Sequence, residues 1–175
     1  MKRSLALICA ALAGCAAVPD GVRPVTGFEP ERYLGLWHEV ARLDHSFERG
    51  LTGVTAEYSA RPDGGLDVVN RGYDAASGGW KEARGRAYFT AGRSTGRLKV
   101  SFFRPFYGAY NIVELDREGY SYALVCGPSL SYLWILSRSP RLPPGTMDRL
   151  KAAAAGLGFD VNALVYPGPA PSAPG

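Results

Sequence analysis

Few residues of the types used in catalysis stand in a catalytic arrangement in this sequence. The two histidines, His38 and His45, are seven positions apart, and His38-Glu39 lacks the second histidine that a helical zinc-hydrolase motif requires four residues on. The sequence contains no Cys-x-x-Cys. Residues 92–96 have the letters Gly-x-Ser-x-Gly, but they lie in a predicted turn between two strands and not at the strand-to-helix elbow of a hydrolase. The Gly-rich stretch 92–97 is too short for a phosphate-binding loop. We therefore predict no catalytic residue, no metal site, no cofactor and no enzymatic activity.

The clearest chemical signal is the acylation of a cysteine near the N-terminus. Residues 5–13 form an apolar run, which is too short to span a membrane as a helix but fits the apolar segment of a secretory signal. The run ends in Leu-Ala-Gly-Cys at residues 12–15, which resembles the bacterial lipobox. By this resemblance we predict a lipoprotein signal peptide over residues 1–14 and lipidation of Cys15 with acyl chains such as palmitate. An ordinary secretory signal with a chance cysteine is the alternative.

Residues next to this site indicate where the protein is held and how its cysteines are used. Position 16 is Ala rather than Asp, so the lipoprotein resemblance implies an outer-membrane anchor on the periplasmic side. Cys9 leaves with the signal and Cys15 is acylated, so Cys126 has no partner for an intrachain disulfide. Because Cys126 lies in an apolar run, we predict a buried small hydrophobe rather than a reactive thiol.

Composition narrows the class of protein further. The chain has 175 residues, of which 46% are hydrophobic and 21% charged, enough for one domain with a core of its own. The formal net charge of +4 falls to +2 once residues 1–14 are removed, because they carry two basic residues and no acidic one. The sequence has no block of Lys and Arg, so we expect no nucleic-acid partner.

The pattern of the middle of the chain predicts an all-β fold. Alternating apolar residues separated by Gly, Asp and Pro turns predict eight strands, over 36–42, 54–59, 66–73, 82–90, 98–103, 110–116, 122–126 and 132–137. A helix over 145–155 and a short strand over 163–166 follow. Short connections favour an eight-stranded antiparallel up-and-down barrel with one C-terminal α-helix, and a β-sandwich is the alternative. We assign 15–28 to a lipidated tether, 29–166 to the domain and 167–175 to a disordered tail.

Several motifs resemble the lipocalin family, in particular its bacterial lipoprotein and apolipoprotein-D-like branch, over residues 33–166. Gly35 and Trp37 fit the Gly-x-Trp motif of the first strand, and Arg138 fits the arginine that ends the eighth strand. Asp116 is the one match to the second family motif. The resemblance implies that Trp37 fills the closed base of the barrel with Arg138 stacked on it, so both are structural. It also leaves a homodimer open.

Strand alternation, with Trp37 facing inward, predicts which side chains line the barrel. Small residues, aromatics and a few polar groups share this inward face, which suits an apolar ligand pocket. The predicted ligand-binding residues are Ala41, Val54, Ala56, Tyr58, Val68, Asn70, Ala87, Phe89, Leu98, Val100, Phe102, Tyr110, Ile112, Val125, Tyr132 and Trp134. A packed core without a cavity has a similar pattern and is the alternative.

These features predict a lipid-binding lipoprotein of the outer membrane. By resemblance it would hold or transport fatty acids, lysophospholipids or similar hydrophobic ligands in envelope maintenance or stress. Two alternatives remain open from the sequence: a lipocalin-fold enzyme acting on a lipid or isoprenoid, and a filled structural barrel. The aromatic stretch 103–110 and Phe47 are unusual for loops, and they fit either packed connections or contacts with a membrane or partner chain.

Overall fold

The computed structural model describes residues 17–170 and shows a closed antiparallel barrel. Eight strands form the barrel, each paired with the next, and the pairing of β1 with β2 closes it; a ninth short strand extends from β1. The strands are β1 (Gly35–Leu43), β2 (Leu51–Ala60), β3 (Leu66–Asp74), β4 (Gly79–Phe89), β5 (Arg97–Phe103), β6 (Phe106–Leu115), β7 (Tyr122–Cys126), β8 (Leu133–Ser137) and β9 (Leu164–Val165). The predicted fold class is confirmed, and the β-sandwich alternative is wrong.

Helices contribute little to the barrel itself. A single-turn helix, α1 (Pro30–Tyr33), leads into β1, and α2 (Pro144–Gly156) follows β8. A 3₁₀ turn over Val161–Ala163 connects α2 to β9. Within residues 17–170, no helix has the length and apolar content needed to cross a membrane.

Two apolar clusters lie on opposite sides of the barrel wall. The inner cluster includes Trp37, Tyr33 and Ile112 and fills the end of the barrel at which β1 begins, which we call the lower end. The outer cluster packs Leu150 and Ala154 of α2 against outward-facing residues of the sheet. Cys126 belongs to this outer cluster and is fully buried, and burial raises the pKa of its thiol to about 12.

A β-bulge in β1 changes which of its residues face inward. Glu39 pairs with Leu136 and Ala41 pairs with Ile135, so Val40 is an extra residue in the ladder. Beyond the bulge the alternation is inverted. Ala41 therefore packs in the outer cluster against α2, and the prediction that it faces the pocket is wrong. Arg42 points inward in its place.

The segment preceding the barrel is packed against it. We assigned residues 15–28 to a tether, but Val22, Val25 and Phe28 are buried in the described part of that stretch. Val25 donates its N–H to the Ile112 carbonyl and accepts from the Gly96 N–H. Burial removes these apolar side chains from water, and the free energy gained favours a packed segment over a free tether. We call residues 17–28 the N-terminal strap.

The first residues after the domain also lie on the barrel. The Gly53 N–H donates to the Gly168 carbonyl over 2.9 Å, and Pro167 is buried. Gly53 has φ of +57°, and a Cβ there would lie 2.6 Å from the Ala170 side chain, so glycine is needed at this contact. Residues 167–170, assigned to a disordered tail, are therefore docked on β2. The remainder of that predicted tail, 171–175, lies outside the described residues.

The lower end of the barrel is closed by a compact polar and aromatic plug. The Arg138 guanidinium lies 3.9 Å from the centre of the Trp37 ring. Arg138 also donates to the carbonyls of Leu36, Arg32 and Tyr120. Because Arg32 belongs to α1, one side chain ties the first strand, the helix before it and the β6–β7 loop together. We call this end the base.

Candidate ligand-binding cavity

A cavity of about 980 Å³ occupies the barrel above the base. Its lining includes residues in or beside three of the connections at the far end: Phe47 of the β1–β2 loop, Phe103 and Phe106 around the β5–β6 turn, and Pro128 of the β7–β8 loop. We call this far end the mouth. The volume is at the upper end of the range found for small-molecule sites. The arrangement is a deep pocket with one end closed and the other lined by loops.

Most of the residues predicted from alternation are brought together around this cavity. The residues that line it are Val54, Ala56, Tyr58, Val68, Asn70, Ala87, Leu98, Val100, Phe102, Tyr110, Tyr132 and Trp134. Phe89, Ile112 and Val125 also face inward, but they belong to the packed cluster below the cavity. Ala41 lies outside the barrel wall.

Three tyrosines form a hydrogen-bonded group in the cavity wall. The Tyr110 hydroxyl lies 2.7 Å from the Tyr33 hydroxyl and 2.7 Å from that of Tyr58. Burial raises the pKa of all three phenols above the ordinary value, so they remain neutral. Because the hydroxyls bond one another, this part of the wall does not require a polar partner from a ligand.

A buried charged group lies in the wall nearer the mouth. Arg42 donates to Glu39 Oε1 over 2.6 Å and to the Glu48 carbonyl over 2.7 Å. Burial, together with the negative charge of Glu48, raises the pKa of Glu39 to about 8. Burial also raises the pKa of Glu48. Two adjacent carboxyls facing one guanidinium therefore retain a proton at neutral pH, which removes the excess negative charge.

The same group fastens the β1–β2 loop over the cavity. The Trp134 indole donates to Glu48 Oε2 over 3.0 Å. The His45 ring stacks on Phe47 with centroids 3.9 Å apart and lies 5.1 Å from the Trp134 ring. Burial, and then the positive charge of Arg42, lowers the pKa of His45 to about 4, so the ring is neutral at pH 7. The loop is thus held by aromatic packing and by hydrogen bonds to Arg42 and Trp134.

Sequence reasoning missed the loop residues of this site. Phe47, Glu48 and Leu51 line the cavity, although 47 and 48 precede β2 and follow no strand alternation. Tyr33 also lines it from α1. The presence of Glu39 and Arg42 on one mostly apolar strand was a weak signal for a buried ion pair. The bulge that turns Arg42 inward has no recognisable sequence pattern.

The remaining predicted residues have structural surroundings in the described chain. Gly35 has φ of +91°, a backbone conformation that residues with a side chain rarely adopt, so a substitution there would strain the start of β1. Asp116 accepts hydrogen bonds from the backbone N–H groups of Glu118, Gly119 and Ser121, which shapes the β6–β7 turn. Cys15 and residues 1–14 lie outside the described residues. The described residues contain no group of three or more His, Cys, Asp or Glu side chains able to hold a metal.

Comparison with known proteins assigns this barrel to a family. A family model described as "Lipocalin-like domain" matches residues 28–169. The chain belongs to the lipocalin family. The fold agrees with a solved structure of the cockroach allergen Per a 4, which aligns with a TM-score of 0.68 at 17% identity over 88% of this chain and 95% of that one. At that identity the likeness concerns the fold alone.

Closer relatives narrow the group within the lipocalins. The chain is 54% identical to the outer membrane lipoprotein Blc of Vibrio cholerae serotype O1, over 95% of this chain and 98% of that protein. It is 50% identical to the outer membrane lipoprotein Blc of Escherichia coli K12, over 94% and 96% of the two chains. The lipocalin is thus one of the lipid-anchored outer-membrane group, as the sequence predicted.

Proposed function

We propose that this lipocalin binds single-chain amphiphiles, such as fatty acids and lysophospholipids, and holds or transports them for envelope maintenance or stress. The observation that carries the proposal is the cavity of about 980 Å³ with its largely apolar wall and one loop-lined end. A filled structural barrel would lack such a volume. The names of the Blc relatives support a lipoprotein in the same compartment.

The distribution of polar groups supports one orientation of such a ligand. The lower wall is apolar apart from the three tyrosines, whose hydroxyls bond one another. An acyl chain placed there contributes roughly 0.8 kcal/mol for each CH₂ removed from water. The polar end of the ligand then lies toward the mouth, where solvent is accessible and the charged side chains of Arg71, Lys81 and Glu82 line the cavity.

We propose binding rather than catalysis as the task of the cavity. The one cysteine in the described chain, Cys126, lies in the outer cluster behind the barrel wall, and its raised pKa keeps the thiol protonated. The Glu39 and Glu48 carboxyls are engaged by Arg42 and Trp134. These observations disfavour the alternative of a lipid-modifying or isoprenoid-modifying enzyme.

We also propose that Cys15 carries the lipid anchor after residues 1–14 are removed. The lipobox-like residues 12–15 and the lipoprotein relatives support this assignment. Intact mass measurement of membrane-extracted protein tests it. The expected mass is that of residues 15–175 plus a diacylglycerol and a third acyl chain, and a chain retaining residues 1–14 would contradict it.

Fluorescence titration with a brominated fatty acid tests the binding proposal. Trp134 lines the cavity, Trp37 is buried in the base and Trp80 is exposed, so bromine in the cavity is expected to quench chiefly Trp134. Trp134→Phe should abolish most of that quenching. Ala56→Trp should block uptake by filling the cavity, whereas Ala152→Trp on the exposed side of α2 is the matched control. Equal titrations of Ala56→Trp and Ala152→Trp would overturn the proposal.

A further inference from the structure

Exposed apolar side chains are concentrated at the mouth. At least one lies in or next to each of the four strand connections at that end, and Phe103 and Phe106 are 81% and 76% exposed. We call this set the mouth rim; its members are Phe47, Trp80, Phe103, Phe106 and Leu130. Apolar side chains scattered singly need no explanation, but five of them around one opening form a candidate contact surface.

The loops at the base have a different character. They span residues 61–65, 90–96 and 116–121, all within the described chain, and none carries an exposed large apolar side chain. Their exposed groups include Asp63 and Arg93, which are engaged in ion pairs. The mouth therefore exposes large apolar side chains to solvent, whereas these base loops do not.

The N-terminal strap leads away from the base toward the mouth. Phe28 is packed in the inner cluster, and the backbone of Val25 bonds to Gly96, which precedes β5, and to Ile112 of β6. At the other end of the strap, the Ala17 carbonyl accepts a hydrogen bond from Asn111 Nδ2 over 3.1 Å. The same Nδ2 donates to the Gly127 carbonyl over 3.3 Å. Gly127 follows β7 and lines the cavity mouth, so Ala17 lies beside the β7–β8 loop.

Chain length then limits where Cys15 can be. It is two positions before Ala17, and a fully extended chain spans at most about 7 Å over that distance. Strand β7, which runs from the base loop at Ser121 to Gly127, has five residues and is about 17 Å long. The described chain therefore begins about one β7 length away from the base, and a lipid attached two positions before Ala17 would join the protein on the mouth side.

We propose that the mouth rim docks onto the surface of the membrane that holds the Cys15 lipid, so that the cavity opens directly toward that membrane. The inference rests on the proposed lipidation of Cys15. The strap begins at Ala17, on the mouth side of the barrel, and Asn111 beside it lies five positions along β6 from Phe106, so the β5–β6 turn projects beyond that point. Aromatic side chains are well suited to the interface between headgroups and acyl chains.

Charges around the rim agree with a lipid surface as the occupant. Arg104 is exposed between the two phenylalanines of the β5–β6 turn. Arg49 and Lys81 are also largely exposed, near Phe47 and Trp80, and each is paired with a carboxylate, Asp44 and Asp74 respectively. Basic residues flanking exposed aromatics are attracted to anionic headgroups. Docking in this way would let an amphiphile pass between bilayer and cavity without crossing water.

Depth measurement on the lipidated full-length mature protein tests this orientation. Nitroxide labels are placed at the rim through Phe103→Cys and Leu130→Cys, and at the base through Glu118→Cys and Ser94→Cys. Buried Cys126 and acylated Cys15 do not compete for the label. In vesicles of phosphatidylethanolamine and phosphatidylglycerol, the rim labels should become accessible to oxygen and shielded from a water-soluble nickel chelate, whereas the base labels should remain in water. Rim labels that stay in water would overturn the proposal.

A second measurement tests which residues bring the rim into contact with lipid. With the label at position 130, Phe103→Ser combined with Phe106→Ser should reduce the lipid exposure of the label severalfold. Leu36→Ser, which alters an exposed apolar residue at the base end of β1, should leave it unchanged. An unchanged signal in the rim variant would contradict docking through these rings.

Three further outcomes separate this inference from its alternatives. Dipolar coupling between labels at 103, without lipid exposure, would make the rim an interface between two copies and overturn membrane docking. A mass lacking lipid at Cys15 would also overturn it. Protein that still quenches through Trp134 with brominated fatty acid while its rim stays in water would overturn the docking alone and leave the binding function standing.

Discussion

The base and the mouth of the barrel are built from different interactions. At the base, Arg138 is stacked on the buried Trp37 and donates to three backbone carbonyls, so directional bonds fix the geometry. At the mouth, a carboxyl pair and an aromatic loop fasten the opening, and several rings are left in solvent. We infer that the base mainly stabilises the fold and the mouth mainly serves binding. Substitutions at the base should therefore lower the free energy of unfolding more than substitutions at the mouth rim do.

Removing the ring at the base should have the largest effect on stability. Trp37→Ala deletes a fully buried indole and leaves a void in the inner cluster, which should lower the free energy of unfolding by about 3–5 kcal/mol. Urea denaturation measures this. Leu36→Ala, at the partly exposed neighbouring position, is the control and should cost about 0.5 kcal/mol. Equal losses for both variants would refute the assigned role of the base.

Removing the guanidinium should have the next largest effect. Arg138→Met keeps the aliphatic stem but loses the cation–π contact and three hydrogen bonds, which should cost about 2 kcal/mol. Arg138→Lys should recover little, because a single ammonium cannot bond the carbonyls of Leu36, Arg32 and Tyr120 in their present directions. Fatty-acid titration of both variants should remain near wild type, and full recovery by lysine would contradict the geometric argument.

At the mouth, pH should act through the carboxyl pair. The folded-state pKa of Glu39 is about 8, above its ordinary value near 4.5, so its contribution to stability is greatest below pH 4.5 and is lost as pH rises toward 8. Glu39→Gln cannot ionise and should become progressively more stable relative to wild type over that range. Denaturation of the two proteins at several pH values measures the difference, and parallel curves would contradict the raised pKa.

Acid should act on the mouth through a different residue. His45 has a folded-state pKa of about 4 against an ordinary 6.5, so its contribution is complete above pH 6.5 and is lost as pH falls toward 4. His45→Asn should remove that part of the acid sensitivity. Comparing the unfolding of variant and wild type between pH 4 and 7 measures it; an unchanged acid response would exclude His45 as its source.

The smallest effect on stability is expected from the mouth rim. Phe106→Ser removes a ring that is mostly in solvent, and the free energy of unfolding should change by no more than about 0.5 kcal/mol. Thermal unfolding in the absence of membranes measures this. A loss as large as that of Trp37→Ala would show that the ring supports the barrel.

Much of the fold could be predicted because its signals are local. Alternating residues and turn-forming glycines gave the eight strands, and the pairing of Trp37 with Arg138 followed from a family motif. The cavity wall was predicted where strands are regular. In β2 through β5, every proposed lining residue except Phe89 lies on the cavity.

The errors arose where local patterns stop. One extra residue at Val40 inverts the end of β1, so Ala41 and Arg42 exchange sides, and no composition signal marks such a bulge. Glu48 reaches the cavity from a loop with no period to read. The strap was assigned to a tether because Pro and Gly interrupt it, although Val22, Val25 and Phe28 are buried by tertiary contacts that strand periodicity does not describe.

Native mass spectrometry of the purified protein tests the central claim most directly, because it shows whether the cavity of each molecule holds a lipid. The account predicts adducts with the mass of one single-chain amphiphile on the wild-type protein and on Ala152→Trp, and their loss in Ala56→Trp, where an indole occupies the cavity. An adduct retained undiminished by Ala56→Trp, or no adduct on the wild type even after incubation with fatty acid or lysophospholipid, would contradict it.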